Sequence, residues 1–309
     1  MKYEHIPVLF DEVIEGLNIK PDGIYLDGTL GGGGHSKGIL QRLKNGRLIA
    51  CDKDSDALKN AETVLKEYSE KITYVHDDFK NVFGYLDEYG IEKLDGVLLD
   101  LGVSSYQIDT AERGFSYIKD APLDMRMDAE QKLSAYDVVN GYSEKELLRV
   151  LYEYGEERNA PQIVRNILRK RALSPIATTL ELAEIVKESY PPKFRYQNGN
   201  PAKKTFQAIR IEVNGELNGL KEAVNDLSLR LKEGGRICVV TFHSLEDRIV
   251  KNVFVELEKD CICDKKLPVC VCNKRRDVKI ITKKPISGEK EADVNKRAES
   301  AKLRIAERV

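Results

Sequence analysis

Short apolar runs alternate with helix-spaced stripes over the first hundred residues of the chain and again near its C-terminal end. Ile24–Leu26, Arg47–Cys51, Ile72–Val75 and Leu94–Leu99 each suit one strand, and each runs into an acid within two residues: Asp27, Asp52, Asp77 and Asp100. Between the second and third runs, Ala57, Leu58, Ala61, Val64 and Leu65 recur at helical spacing, which predicts a helix over 55–68 with one buried face. Residues 5–17 read as a leading segment and a short amphipathic helix, and Ser36–Leu43 as a helix behind the first strand. Apolar strands alternating with helices predict an α/β fold whose parallel sheet is covered on both faces.

The alternation stops near residue 110 and resumes near residue 206. Ser143–Glu146 and Thr178–Glu181 have the capping-box pattern, and Ile163, Val164, Ile167 and Leu168 form a helical stripe just after Pro161. The pattern predicts an inserted helical subdomain at 110–205, with a discontinuous sheet domain at 1–109 and 206–309. Beyond it, a long helix is expected over Phe206–Leu231, a strand over Gly235–Phe242 and a helix over 247–258. Strands at Val278–Thr282 and Leu303–Ala306 bring the total to about seven, the last pair antiparallel.

Candidate chemistry begins where the first strand ends, at Asp27-Gly-Thr-Leu-Gly-Gly-Gly-Gly-His35-Ser36. Four glycines let the backbone turn tightly and let a ligand touch the main chain. Strand, glycine loop and helix in series is how doubly wound folds hold an adenosine cofactor. Against the dinucleotide pattern Gly-x-Gly-x-x-Gly, Gly31 and Gly33 fit but Ser36 takes the third place. A carboxylate at Asp27 repels phosphate and suits the ammonium and sulfonium charges of S-adenosylmethionine. The other reading is an ordinary glycine-rich turn. Asp52, at the second strand's end, suits a pair of ribose hydroxyls. Phe79 is placed to pack on an adenine or to serve as a core aromatic. Asp100, followed by Ser104, Ser105 and Gln107, ends the fourth strand, where a reactive methyl would face; a buried capping acid is its alternative. His243 follows the fifth strand as a second candidate proton acceptor or a structural histidine.

Composition narrows the setting. In a chain of 309 residues, 41% hydrophobic and 33% charged content describes a globular protein, and no apolar run approaches the ~20 residues that span a bilayer. No signal peptide is visible, so a cytoplasmic location and no membrane partner are expected. The net charge of −1 hides +5 over residues 193–210 and +6 over 273–309, leaving about −12 elsewhere. Two basic segments on an acidic body suggest a docked polyanion, against the alternative of solvated faces. Cys261-x-Cys263 and Cys270-x-Cys272 lie six residues apart. Free thiols are the first reading, so no metal is expected; a structural metal and redox cross-linking are the alternatives. Cys51 and Cys238 fall within strands and are expected in the core.

Taken in order, several motifs resemble one family, the bacterial small-subunit ribosomal RNA cytosine-N4 methyltransferases called MraW or RsmH. They are His5-Ile-Pro-Val-Leu, the glycine loop, Asp95-Gly-Val-Leu-Leu-Asp-Leu-Gly-Val-Ser-Ser105, Glu112-Arg-Gly-Phe-Ser116 and Leu123-Asp-Met-Arg-Met-Asp128. Lys204-Thr-Phe-Gln-Ala-Ile-Arg-Ile-Glu-Val-Asn-Gly-Glu216, Thr241-Phe-His-Ser-Leu-Glu-Asp-Arg248 and Ser300-Ala-Lys-Leu-Arg304 complete the set, which covers nearly the whole chain. The resemblance implies a Rossmann-like class I S-adenosylmethionine-dependent methyltransferase sheet with an inserted helical substrate-recognition domain. It implies cofactor contacts at Gly33, Gly34, His35, Asp52, Phe79, Asp100 and Gln107, with Asp27 at the loop's entrance. The implied substrate is a cytidine of the 16S rRNA decoding region in the small ribosomal subunit, methylated on N4 in support of decoding accuracy. Asp100, Ser104 and His243 are then the catalytic candidates. Arg113, Lys203, Lys204 and Arg210 would grip phosphates, and Phe206, Phe115 or Tyr117 would stack on bases, in a monomer or homodimer. Two features depart from expectation. The Asp/Asn-Pro-Pro-Tyr/Phe signature of amino-directed methyltransferases is replaced by Asp100-Leu-Gly-Val-Ser-Ser105. The tail reads Asn295-Lys-Arg-Ala-Glu-Ser300, with Glu299 where the family tends to place an arginine.

Overall fold

The computed structural model describes residues 7–195, 199–264 and 269–309; His5 and Ile6 of the leading segment lie outside them. The chain forms two compact units, Met1–Gly102 with Leu217–Val309, and Val103–Glu216. The second unit is wider than the expected 110–205. The helices Ser105–Asp109 and Ala202–Asn214 both fall within it, and Ala202, Phe206, Ala208, Ile209 and Val213 fill its core.

The first unit holds strands β1 (Ile24–Asp27), β2 (Arg47–Asp52), β3 (Ile72–His76), β4 (Leu94–Asp100), β5 (Leu231–Thr241), β6 (Val278–Ile280), β7 (Ile286–Ser287) and β8 (Lys302–Arg308). Their order is β3-β2-β1-β4-β5-β8-β6, with β7 also on β8. β1 to β5 pair parallel, and β8 runs antiparallel to β5, β6 and β7. The strand beyond the expected seven is β7, whose two residues are too few for a period-2 pattern. Successive residues point to opposite faces. Tyr25, Leu48, Ala50, Leu98, Cys238 and Val240 enter one core, while Leu26, Ile49, Cys51, Val97, Leu99 and Val239 enter the other. The helix Phe10–Leu17 and the helix Gly34–Leu40 cover the first face; Leu220–Leu229 and Ser244–Glu258 cover the second. Cys51 and Cys238 are buried and free, as expected. This is the doubly wound α/β sheet that the alternation predicted. Its parallel strands bring Asp27, Asp52 and Asp100 to the same carboxyl edge.

The single helix expected over Phe206–Leu231 is two helices. Gly215 ends the first with φ 57° and Gly219 opens the second with φ 69°, a left-handed conformation that glycine adopts at low cost. In the second unit, Ser143 with Glu146 and Thr178 with Glu181 form the two expected capping boxes. Two of the sequence motifs meet there. The Asn214 side chain accepts from Met127 N at 2.8 Å and donates to the Met125 carbonyl at 2.8 Å. Met125 itself is buried with φ 61°, so the Asn214 amide braces a strained turn. Arg126 and Asp124 close that turn through two hydrogen bonds of 2.9 and 2.7 Å.

Tyr25 explains a glycine inside the Asp95-Gly-Val run. Its ring is 1% exposed and its hydroxyl accepts from Lys20 N at 2.7 Å. A Cβ at Gly96 would stand 2.6 Å from the ring's Cε1. Gly96→Ala is therefore expected to cost about 1–3 kcal/mol by overpacking. Adding Tyr25→Leu should recover part of that loss in urea unfolding; strictly additive losses would refute the contact.

Candidate active site

The glycine loop is held at both ends by side chains from its own sheet. The Ser36 hydroxyl donates to Asp27 Oδ2 at 2.7 Å, and Thr29 N donates to Asp27 Oδ1 at 3.1 Å. Thr29 Oγ1 in turn accepts from Asp100 N at 2.6 Å, which ties the loop to the end of β4. Gly31 and Gly33 take φ of 50° and 76° to turn the chain into the following helix. Asp52 accepts from Gly31 N at 2.8 Å and from Asp54 N at 2.9 Å, one bond on each oxygen. A carboxylate has about four acceptor sites, so each oxygen keeps room for a ligand hydroxyl. His35 is buried, with Nε2 3.1 Å from the Val8 carbonyl. A carbonyl only accepts, so this nitrogen carries the proton and Nδ1 faces Asp100 Oδ2 at 3.6 Å.

The electrostatics of this edge are those of acids crowded together, Asp27 fully buried and Asp52 and Asp100 half-buried. Burial pushes Asp27 up to about 6; the Ser36 and Thr29 hydrogen bonds pull down, and the nearby Asp52 pushes up again. Asp100 stands well above the usual carboxylate range, first through burial and then through Asp27, Glu246 and Glu291. Asp52 is also raised, chiefly by burial. Asp100 Oδ1 is buried without a hydrogen-bond partner among the described residues. An unpaired buried carboxyl oxygen among other acids is a place for a positive charge.

Phe79 opens a short 3-10 turn and packs over Gly28, where a Cβ would come within 2.9 Å of Phe79 Cβ. His243 caps the helix Ser244–Glu258: its ring is 6% exposed, and Glu246 N donates to Nδ1 at 3.5 Å. The Glu246 carboxylate, 1% exposed, accepts from Phe242 N at 2.9 Å. In the second unit, Ser104 and Gln107 cap the helix Ser105–Asp109 by exchanging hydrogen bonds of 3.0 and 3.2 Å. Lys203 is exposed, as is Lys204, whose Nζ donates to the Glu156 carbonyl at 3.2 Å. Phe206 is 4% exposed against the edge of Tyr117, and Arg210 pairs with Glu216 through bonds of 2.9 and 2.8 Å. Arg113 donates to the Arg126 and Met127 carbonyls. Sequence reasoning passed over Thr29, Ser36 and Glu291 as site groups. Ser36 was visible only as a failed third glycine, and Glu291 lay far along the chain with no motif around it.

A family model described as the MraW methylase family matches residues 2–309. The chain belongs to this family. The Ribosomal RNA small subunit methyltransferase H of Clostridioides difficile (strain 630) is 53% identical over 311 residues, covering 100% of both chains. The protein of the same name from Clostridium botulinum (strain Kyoto / Type A2) is 55% identical, and that of Finegoldia magna 51%, again over 100% of both chains. This MraW-family chain is a methyltransferase, and its methyl donor is S-adenosylmethionine. The edge fits such a donor: an orphaned Asp100 oxygen and buried acids suit its cationic groups, and Asp52 keeps acceptor sites for hydroxyls.

The raised Asp27 predicts a pH signature. With a folded value of about 6 against about 3.9 unfolded, the folded state holds the extra proton between them. This group's stabilisation is therefore complete below pH ~4 and lost as pH rises through about 6, on the order of 3 kcal/mol in all. Compared with Asp27→Asn in urea unfolding, the wild type should lose stability between those limits. Parallel curves would remove the buried-acid assignment.

Proposed function

We propose that this enzyme methylates the exocyclic N4 amine of a cytidine in the decoding region of 16S rRNA, in the cytoplasm, in support of decoding accuracy. The observation that carries the reading is end-to-end identity of 53–55% with relatives named Ribosomal RNA small subunit methyltransferase H. The quoted motifs and their family resemblance supply the finer target.

Gly33, Gly34 and His35 form the main-chain and imidazole contacts with the cofactor in this reading. Asp52 accepts both ribose hydroxyls, Phe79 packs on the adenine, and Asp27 and Asp100 face the positive groups. Ser104 and Gln107 rest on the resemblance alone. S-adenosylmethionine, when bound, supplies an electrophilic methyl group. The cytosine amine is a weak nucleophile because its lone pair is delocalised into the ring, so placement matters more than covalent catalysis. An acceptor for one amine proton sharpens that nucleophile. Burial and the neighbouring acids raise the proton affinity of Asp100, and a cation beside it lowers that affinity and favours the acceptor form; Ser104 and His243 are the other candidates. The base must leave its stack to be reached. Exposed Lys203 and Lys204 grip phosphates at the surface. Roles for Arg113, Phe206 and Arg210 require these side chains to leave their present partners.

Labelled S-adenosylmethionine offered to 30S subunits and to naked 16S rRNA tests this directly. One methyl group per RNA, found on cytidine N4 by mass spectrometry, is the expected product in the preferred form. Lys203→Ala/Lys204→Ala should weaken RNA binding and flatten its logarithmic salt slope by about 1–2. A methyl group on a ring carbon or another base, or no transfer to either RNA, would overturn the reading.

A further inference from the structure

The connection between the helix Ser244–Glu258 and β6 carries four cysteines that no step of methyl transfer uses. Its described residues between 259 and 277 form neither helix nor strand, and Ile262, Val269 and Val271 are 60–70% exposed. Long connections usually need something to fix them, and none of this one's described residues joins a hydrophobic core.

The four sulfurs nevertheless converge. Cys261 and Cys270 Sγ are 3.6 Å apart, as are Cys270 and Cys272; Cys263 to Cys270 and Cys272 to Cys261 are 3.9 Å. All four lie within 4.8 Å of one another. A tetrahedron with Zn–S bonds of about 2.3 Å has edges of about 3.8 Å. Backbone amides point at the sulfurs: Cys263 N donates to Cys261 Sγ at 3.4 Å, Ile262 N to Cys272 Sγ at 3.4 Å and Val271 N to Cys263 Sγ at 3.3 Å. Such donors orient and stabilise thiolate ligands. Four soft donors with no oxygen among them exclude magnesium and calcium as natural occupants and select zinc or iron. A complete set of four leaves no open position for water, which marks a structural site.

We propose that Cys261, Cys263, Cys270 and Cys272 bind one zinc ion that ties residues 261–263 to residues 270–272 in place of a hydrophobic core. This reverses the expectation of free thiols drawn from Cys-x-Cys spacing alone. The test is elemental analysis of the full chain purified without added metal and dialysed against EDTA, combined with thiol titration after denaturation. About one zinc per chain with all six cysteines titrating as thiols is expected. Cobalt exchanged into the protein should give the intense visible bands of tetrahedral thiolate coordination, and Cys261→Ser/Cys270→Ser should lower the zinc content to near zero. If that variant does not fold, the wild-type zinc content and cobalt spectrum still decide the matter. Iron in place of zinc, fewer than six thiols, or six thiols with no bound metal would each overturn the proposal.

Discussion

Three carboxyl groups end three neighbouring parallel strands of the sheet, and burying like charges side by side is unfavourable unless something offsets it. Asp27 meets the constraint with two local donors, the Ser36 hydroxyl and Thr29 N. Asp52 meets it with Gly31 N and Asp54 N. Among the described residues Asp100 has no such help on Oδ1, and burial with the charges of Asp27, Glu246 and Glu291 raises its proton affinity. The same bonds that relieve the acids shape the glycine loop. Loop geometry and charge at this edge are therefore one problem with one solution.

The sheet makes that solution possible. Alternate residues of β1, β2 and β4 are buried on opposite faces, so the strands cannot slip by one residue without exposing both cores. Register is thus strongly specified, and the three acids arrive together at the carboxyl edge. In the proposed reading, a cationic methyl donor offsets negative charge developing on these acids. A phosphate-bearing dinucleotide would add to it. In that reading Asp27 and Asp100 weigh on the choice of cofactor class as much as the glycines do.

Much of this was legible in the sequence because buried parallel strands read as apolar runs with acids at their ends. Asp27, Asp52 and Asp100 could be placed from that pattern alone. The apolar spacing over Phe206–Leu231 continues across Gly215 and Gly219, so the pattern does not show the break that their left-handed backbone makes. The second unit extends to Glu216, beyond the expected 205, because Ala202–Asn214 has helical spacing whichever core it joins. The partners of the acids were the hardest to see. Nothing in a linear pattern says that Ser36 bonds Asp27, or that Glu291 adds its field to Asp100. Convergence of the four cysteine sulfurs is of the same kind: spacing permits it, and only the fold produces it.

The proposed receptor for the donor's positive charge is this group of acids, whose proton affinity burial raises. Calorimetric titration of S-adenosylmethionine at pH 6, near the Asp27 value, in two buffers of different ionisation enthalpy measures the protons exchanged on binding. Net proton release is expected, smaller with S-adenosylhomocysteine, whose sulfur is neutral, and reduced in both Asp27→Asn and Asp100→Asn. Binding with no proton release, or equal release for both ligands, would contradict it.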